Sequence, residues 1–235
     1  MRYAVYFTPV QHDPLQRLAA RWLGRNAFSN KETERPAING MTIADIVPWT
    51  HDPQRYGFHA TMKAPFHLAE GAEESEMLRA LMHFTSRIDG VTIPRLKVAA
   101  LGRFFALVPD APVPALNQLA NDVVVALDRF RAPPTETEIA RRKPETMKPV
   151  HLRNLEQWGY PYVFEEFRFH MTLTGPVPEK DHARMHDVLN ELFSPLLQSP
   201  VEIDNLALFV EAEPGSPFEV HSLHPLGGVT RKAAI

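Results

Sequence analysis

The chain has 235 residues, 22 prolines and no cysteine, with 25 Lys and Arg against 28 Asp and Glu for a net charge of −3. The missing cysteine excludes disulfides, thiolate metal sites, iron–sulfur clusters and a thiol nucleophile, and the charge balance argues against long nucleic acid as a partner. A 44% hydrophobic share is that of a globular chain, no apolar run nears the ~20 residues of a membrane helix, and MRYAVYFTPV lacks a signal-peptide pattern, so a cytoplasmic protein without a membrane partner is expected.

In chain order, Arg2 to Thr8 is short, aromatic and β-branched and predicts a strand. Asp13 and Pro14 then suit the N-cap and first position of a helix. Leu15, Leu18, Ala19, Trp22 and Leu23 recur on its face, and Gly24 ends it. Residues Arg25 to Gln54 are polar and carry Pro36, Pro48 and Pro53, which predicts a long loop or lid. Gly57 to Phe66 predicts a strand, Glu73 to Ile88 an amphipathic helix, and Leu96 to Pro109 one or two strands around Gly102. Ala115 to Phe130 predicts a helix stopped by Pro133 and Pro134, and 135–160 a charged stretch that is helical in pieces. Phe167 to Thr174 is a strand, Asp181 to Phe193 a helix, Val201 to Val210 a strand and Phe218 to Leu223 a last strand, with a frayed tail from Gly227.

Within this order the chain repeats itself. FHATMKAP at 58–65 and FHMTLTGP at 169–176 both fit F-H-x-T-x-x-x-P. RYAVYFTP at 2–9 is echoed by RFFALVP at 103–109, and each is followed by a helix and later by its histidine strand and another helix. The two repeat offsets differ by about ten residues, which implies an insertion. The expectation is a single two-lobed α+β domain over 1–235 with a pseudo-twofold, built from duplicated β-α-β-α-β halves at about 2–100 and 103–224, plus a flexible tail at 227–235.

Alternation along a strand turns His59 with Thr61, and His170 with Thr172, to one side. Phe58, Ala60, Met62, Phe169, Met171 and Leu173 face the other way, and all are apolar, as a strand backed by helices requires. Lys63, Arg168 and Thr174 fall on the His/Thr faces. Two imidazoles, several hydroxyls and two cations on facing strands suit an anionic phosphate, with imidazoles able to move protons near neutral pH. A lone strand histidine is ordinarily a surface residue; retention of His and Thr in both copies, while the apolar side varies, points to function. Tyr3, Tyr6 and Tyr56 stand equally as cleft lining or as packing. Between Ile139 and Arg153, Arg141, Arg142, Lys143, Lys148 and Arg153 face only Glu145; this is either a solvated face or a clamp for a second phosphate through Arg141 and Arg142.

The paired H-x-T motifs resemble those of the two-histidine phosphoesterase superfamily, which includes LigT-like RNA cyclic phosphodiesterases. RYGFHATMKAPF (55–66), RRKPE (141–145) and WGYPYVFEEFRFHMTLTGP (158–176) resemble the LigT-like branch associated with phosphonate-utilisation operons. The resemblance implies antiparallel sheets around a central cleft and hydrolysis of a cyclic phosphodiester without metal or cofactor. It implies His59 and His170 as acid and base, while the substrate does not transfer with the motif; the expectation is a small phosphorylated sugar or nucleotide whose non-bridging oxygens sit on Thr61 and Thr172. Lys63, Arg168, Tyr56, Tyr6, Arg141 and Arg142 are the candidate substrate contacts.

Two other classes compete. A two-histidine cleft can hold a phosphorylated metabolite without turnover, and an RNA end can replace the small substrate. His182 and His186 at i, i+4, and His221 and His224 beside Glu211, Glu213 and Glu219, are loose metal-like spacings better read as surface. There is no GxGxxG, Walker A or GxSxG motif.

Overall fold

The computed structural model describes residues 1–227; the expected tail lies, from 228 onward, outside the described residues. The elements run β1 (Arg2–Phe7), α1 (Pro14–Leu23), β2 (Arg25–Asn26), β3 (Lys31–Glu32), α2 (Ile43–Tyr56), β4 (Ala60–Phe66), α3 (Glu74–Thr85), β5 (Val91–Ile93), β6 (Leu96–Leu101), β7 (Phe104–Pro109) and α4 (Pro114–Leu127). They continue through α5 (Glu136–Arg141), α6 (Pro149–Trp158), β8 (Met171–Thr172), α7 (His182–Phe193), β9 (Val201–Ile203), β10 (Asn205–Glu211) and β11 (Glu219–Pro225). Seven strands form one sheet in the order β11-β10-β1-β4-β8-β7-β6, with every neighbouring pair antiparallel. The fold is α+β with antiparallel sheets, as expected; β2–β3 and β5–β9 form two small ribbons apart from it.

The repeated segments occupy the middle of the strand order. The two histidine motifs meet there as β4 beside β8, and β1 and β7, the strands of the other echoed segment, flank them. The outer strands change sides. β6 lies next to β7 although it belongs to the first half of the sequence, and β10 and β11 come back from the C-terminal half to extend β1. Each half of the sheet therefore contains chain from both halves of the sequence.

Local chemistry explains the main helices. Asp13 accepts from the Leu15 and Gln16 amides at 2.7 and 3.3 Å, capping α1. Trp22, buried on its core face, donates Nε1–H to the Leu173 carbonyl at 2.7 Å and ties α1 to the second motif. The six apolar residues expected behind the histidine strands are all buried in the main core with α1, α3, α4 and α7 residues. Full burial of such side chains contributes about 1.5–3 kcal/mol each.

Two expectations need correcting. The segment 25–54 is not one long loop: it contains the β2–β3 ribbon and most of α2. Thr42 and Asp45 form a capping box, and Pro48 and Pro53 lie inside the helix. Pro53 has no N–H to give the Trp49 carbonyl; the Gly175 amide of the second motif takes that carbonyl instead, at 2.5 Å. The prolines that suggested a loop thus free a backbone acceptor for a tertiary contact. The second correction is to the strand over 167–174, which is reduced to Met171–Thr172. Beyond it the Leu173 and Thr174 amides both turn onto the Phe105 carbonyl, at 2.9 and 3.2 Å, leaving the regular ladder. Among the described residues no helix is long and apolar enough to cross a membrane.

Candidate functional site

The β4–β8 register brings the two motifs together. Ala60 pairs with Met171; one residue further in each direction, that antiparallel register sets His59 opposite Thr172 and Thr61 opposite His170. Each histidine is thus set across from the other motif's threonine. On the next strand Tyr6 is opposite Thr61. Tyr6, His59, Thr61 and Thr172 line a cleft of about 410 Å³ together with Tyr56 and Phe104, and His170 stands beside it, off its wall.

Both imidazoles are held the same way. His59 Nδ1 lies 3.0 Å from the Gly57 carbonyl, and His170 Nδ1 lies 2.7 Å from the Arg168 carbonyl. A carbonyl only accepts, so each Nδ1 carries the hydrogen and each Nε2 is left as the reactive nitrogen. His59 Nε2 sits 3.2 Å from Thr61 Oγ1, whose hydroxyl donates to it. Gly57 ends α2 with φ 75° and ψ −180°, a conformation essentially confined to glycine. A Cβ there would also lie 2.6 Å from that of Ala27. This turn aims the carbonyl that orients His59.

The two histidines differ in surroundings. The His59 ring stacks on Tyr6 with centroids 3.8 Å apart and planes 22° from parallel, and Phe209 and Tyr56 lie 6.0 and 6.2 Å away. Burial against these rings lowers the His59 pKa to about 4; the Gly57 hydrogen bond opposes the shift and the charge of His170 adds to it. His170 has one aromatic neighbour, Phe104 at 5.8 Å, and its Nδ1 contact is exposed. The unfolded His59 binds protons that the folded one refuses, so its contribution to stability is present above the unfolded pKa and is lost as pH falls toward 4. Melting temperature should therefore fall between pH 6.5 and 4, and less so in His59→Gln; the same decline in both proteins would assign it to other groups.

Not every candidate reaches the cleft. Lys63, expected beside Thr61, is buried and bonds the Val124 carbonyl and Asp128, both at 3.2 Å. The β1–β4 register shifts between Val5↔Lys63 and Tyr6↔Thr61, so strict alternation fails between Thr61 and Lys63 and the lysine turns to α4. Arg168 is exposed and borders a different cavity, beside Phe167 and Phe169; only its carbonyl serves the site. Thr174 reaches the cleft wall but its oxygen accepts from the Phe105 amide at 2.9 Å. Tyr3 is buried in the core and donates to Glu74 at 2.6 Å. Arg142 lines the cleft, whereas Arg141 lines only the neighbouring cavity.

Other cleft residues carried no local signal in the sequence. Arg2 and Tyr160 are both on the wall. Arg2 is paired with buried Glu211, which also takes Arg55 and, at 3.0 Å, the Gly215 amide. Burial pushes the Glu211 carboxyl up, and these donors bring it below the usual range. Arg142 lies over the Tyr160 ring at 5.1 Å. Glu211 is thus committed to arginines, and His182 Nε2 to the Val177 carbonyl at 3.0 Å. Among the described residues no group of three His, Asp or Glu is arranged to hold a metal ion.

Comparison with known proteins identifies a family and several relatives. Residues 61–219 match the family described as "Protein of unknown function (DUF1045)". The chain is 34% identical over 238 residues to a protein of Janthinobacterium named ribose 1,5-bisphosphate phosphokinase PhnN, covering 100% of this chain and 52% of that one. It is 38% identical over 223 residues to a protein of the same name from Laribacter hongkongensis, covering 94% and 50%. The chain therefore spans about half the length of the curated relatives it matches. Among solved structures it is similar to E. coli LigT complexed with NADP+, at 14% identity over 96% of this chain and 97% of that chain with a TM-score of 0.42. It is similar also to a Thermus thermophilus protein, at 14% identity over 97% and 100% with a TM-score of 0.48.

Proposed function

For a chain that belongs to the DUF1045 family, we propose a function read from the site itself: hydrolysis of a cyclic phosphodiester on a small phosphorylated sugar, by two-histidine acid–base catalysis. The observation that carries this reading is the crossed pair of H-x-T motifs, each with Nδ1 locked on a backbone carbonyl and Nε2 directed away from it. The resemblance of those motifs to two-histidine phosphoesterases agrees with it.

The asymmetry of the two rings supports one division of their roles. His59 is neutral in the free enzyme and takes a proton from water at Nε2, while His170 donates one to the leaving alkoxide. With substrate bound, the Thr61 hydroxyl turns from His59 Nε2, and it and the Thr172 hydroxyl donate to the non-bridging oxygens as negative charge grows there. Water supplies the new P–O bond, the ring P–O bond breaks, and the released oxygen leaves as a hydroxyl. An anionic diester beside His59 raises its pKa from the free-enzyme value. The acidic limb of kcat/KM should therefore fall near pH 4 and that of kcat at higher pH; a flat profile from pH 5 to 9 in both would refute acid–base catalysis by this pair.

The relatives' name supplies a candidate sugar. Opening the 1,2-cyclic phosphate of ribose 5-phosphate at the P–O2 bond yields ribose 1,5-bisphosphate, the compound named for those kinases. The kinase activity itself finds no Walker A motif in this chain. A place in phosphonate metabolism and in the cytoplasm accords with this reading. The direct test offers purified protein, in EDTA, this cyclic phosphate, 2′,3′-cyclic nucleotides and RNA with a cyclic end. Turnover of the sugar phosphate supports the proposal; exclusive turnover of RNA ends would replace it, and tight binding without product would make the protein a binding module.

A further inference from the structure

A second cavity, of about 350 Å³, adjoins the cleft. Arg2, Pro65 and Arg142 belong to the walls of both, and Arg131, Pro134 and Arg141 lie on the walls of the second cavity alone. Its charges are unequally spent. Arg131 is paired with Asp128 at 2.8 Å. Glu138, the acidic residue of the wall, is occupied by the Thr135 amide and hydroxyl at 2.8 and 3.0 Å. Arg2 shares the single carboxylate of Glu211 with Arg55. Arg141 and Arg142 enter no ion pair among the described residues. The Tyr160 ring under Arg142 anchors its guanidinium at the seam between the two spaces.

We propose that this second cavity seats a phosphate monoester, so that the substrate carries one phosphate in addition to the cyclic diester. Arg142 and Arg2 form the shared wall and Arg141 holds the far side. Guanidinium forks suit phosphate oxygens, and a dianion answers an excess of cations that no protein carboxylate neutralises. The proposal rests on the diesterase reading only for the placement of the cyclic diester in the first cleft.

Two measurements separate the two claims. In the first, kcat/KM is compared for ribose 1,2-cyclic phosphate with and without a 5-phosphate. The phosphorylated compound should be preferred about 30-fold, mainly through KM, as one or two charge-assisted contacts allow. Arg142→Ala should shrink that preference to about threefold or less, and Arg141→Ala should shrink it in part. In the second, calorimetry follows binding of ribose 1,5-bisphosphate and ribose 1-phosphate to the wild type and both variants. Tighter binding of the bisphosphate, lost in Arg142→Ala, supports the cavity even if neither cyclic compound is hydrolysed, an outcome that removes the diesterase reading alone. Hydrolysis of both compounds with equal KM, together with equal binding of the two sugars, overturns the cavity and leaves the diesterase reading intact.

Discussion

Replacing His59 by alanine is expected to lower turnover of a cyclic phosphodiester by about 10²–10⁴-fold, the range that a positioned acid or base contributes. His170→Ala should fall in the same range, and the double variant should lose far less than the product of the two, since acid and base act on one transition state. The two single variants should differ in pH dependence. His59→Ala removes the acidic limb, because His59 is the group that must be neutral, whereas His170→Ala keeps it. The opposite pattern would exchange the two roles. Thr172→Val tests the hydroxyl without touching either imidazole, and should reduce kcat more than it raises KM. Near-normal turnover in His59→Ala would remove the proposed chemistry altogether.

The second large effect concerns stability and lies away from the cleft. Asp128→Ala should cost up to about 3–5 kcal/mol, the range measured when one partner of a buried ion pair is removed, with solvent at the partly exposed carboxylate reducing it. Lys63 would keep only the Val124 carbonyl, inside a site where burial lowers its pKa to about 8 against the opposing pull of Asp128. For a chain of this size that corresponds to a fall of roughly 6–20 °C in melting temperature. Asp128 also holds Arg131 at 2.8 Å, so the carboxylate organises the end of α4 as well as neutralising the lysine. Lys63→Met is the informative partner. It fills a similar volume without charge and leaves Asp128 paired with Arg131, so the loss should be much smaller. Its kcat/KM should stay within about threefold of wild type, because Lys63 does not line the cleft. A hundredfold drop in kcat/KM with melting unchanged would return Lys63 to the substrate, where strand alternation alone had put it.

Lys63 marks the boundary of what periodicity can deliver. The rule that i and i+2 share a face placed His59 with Thr61, and both line the cleft. It failed two residues later because a register shift between β1 and β4 interrupts the pleat, and such shifts arise from pairing with another strand. Arg168 fails for a different reason. The chain before His170 leaves the ladder, so the arginine contributes its carbonyl and not its guanidinium. The prolines of 25–54 misled in the same way. Pro53 is tolerated in α2 because the carbonyl it releases finds Gly175, far along the chain, where no local pattern could have pointed. Arg2 and Tyr160 lie in ordinary strand or loop contexts, and only their convergence makes them a wall.

The sequence by itself determined the duplicated His and Thr pairs, the apolar backs of their strands, the caps of α1 and the α+β class. These rest on covalent spacing and on local hydrogen bonds, both of which are legible within a few residues. The tertiary structure alone decided that β4 and β8 are neighbours, so that each histidine is set across from the other motif's threonine. It decided that the outer strands trade sides of the sheet, that half-buried His59 stacks on Tyr6 while half-buried His170 has only the Phe104 ring near it, and that Arg142 stands at a seam between two cavities while Arg141 stands behind it. The physical reason is the same throughout. Register, burial and charge pairing are set by partners far along the chain, and a pKa or a binding wall exists only once those partners have met.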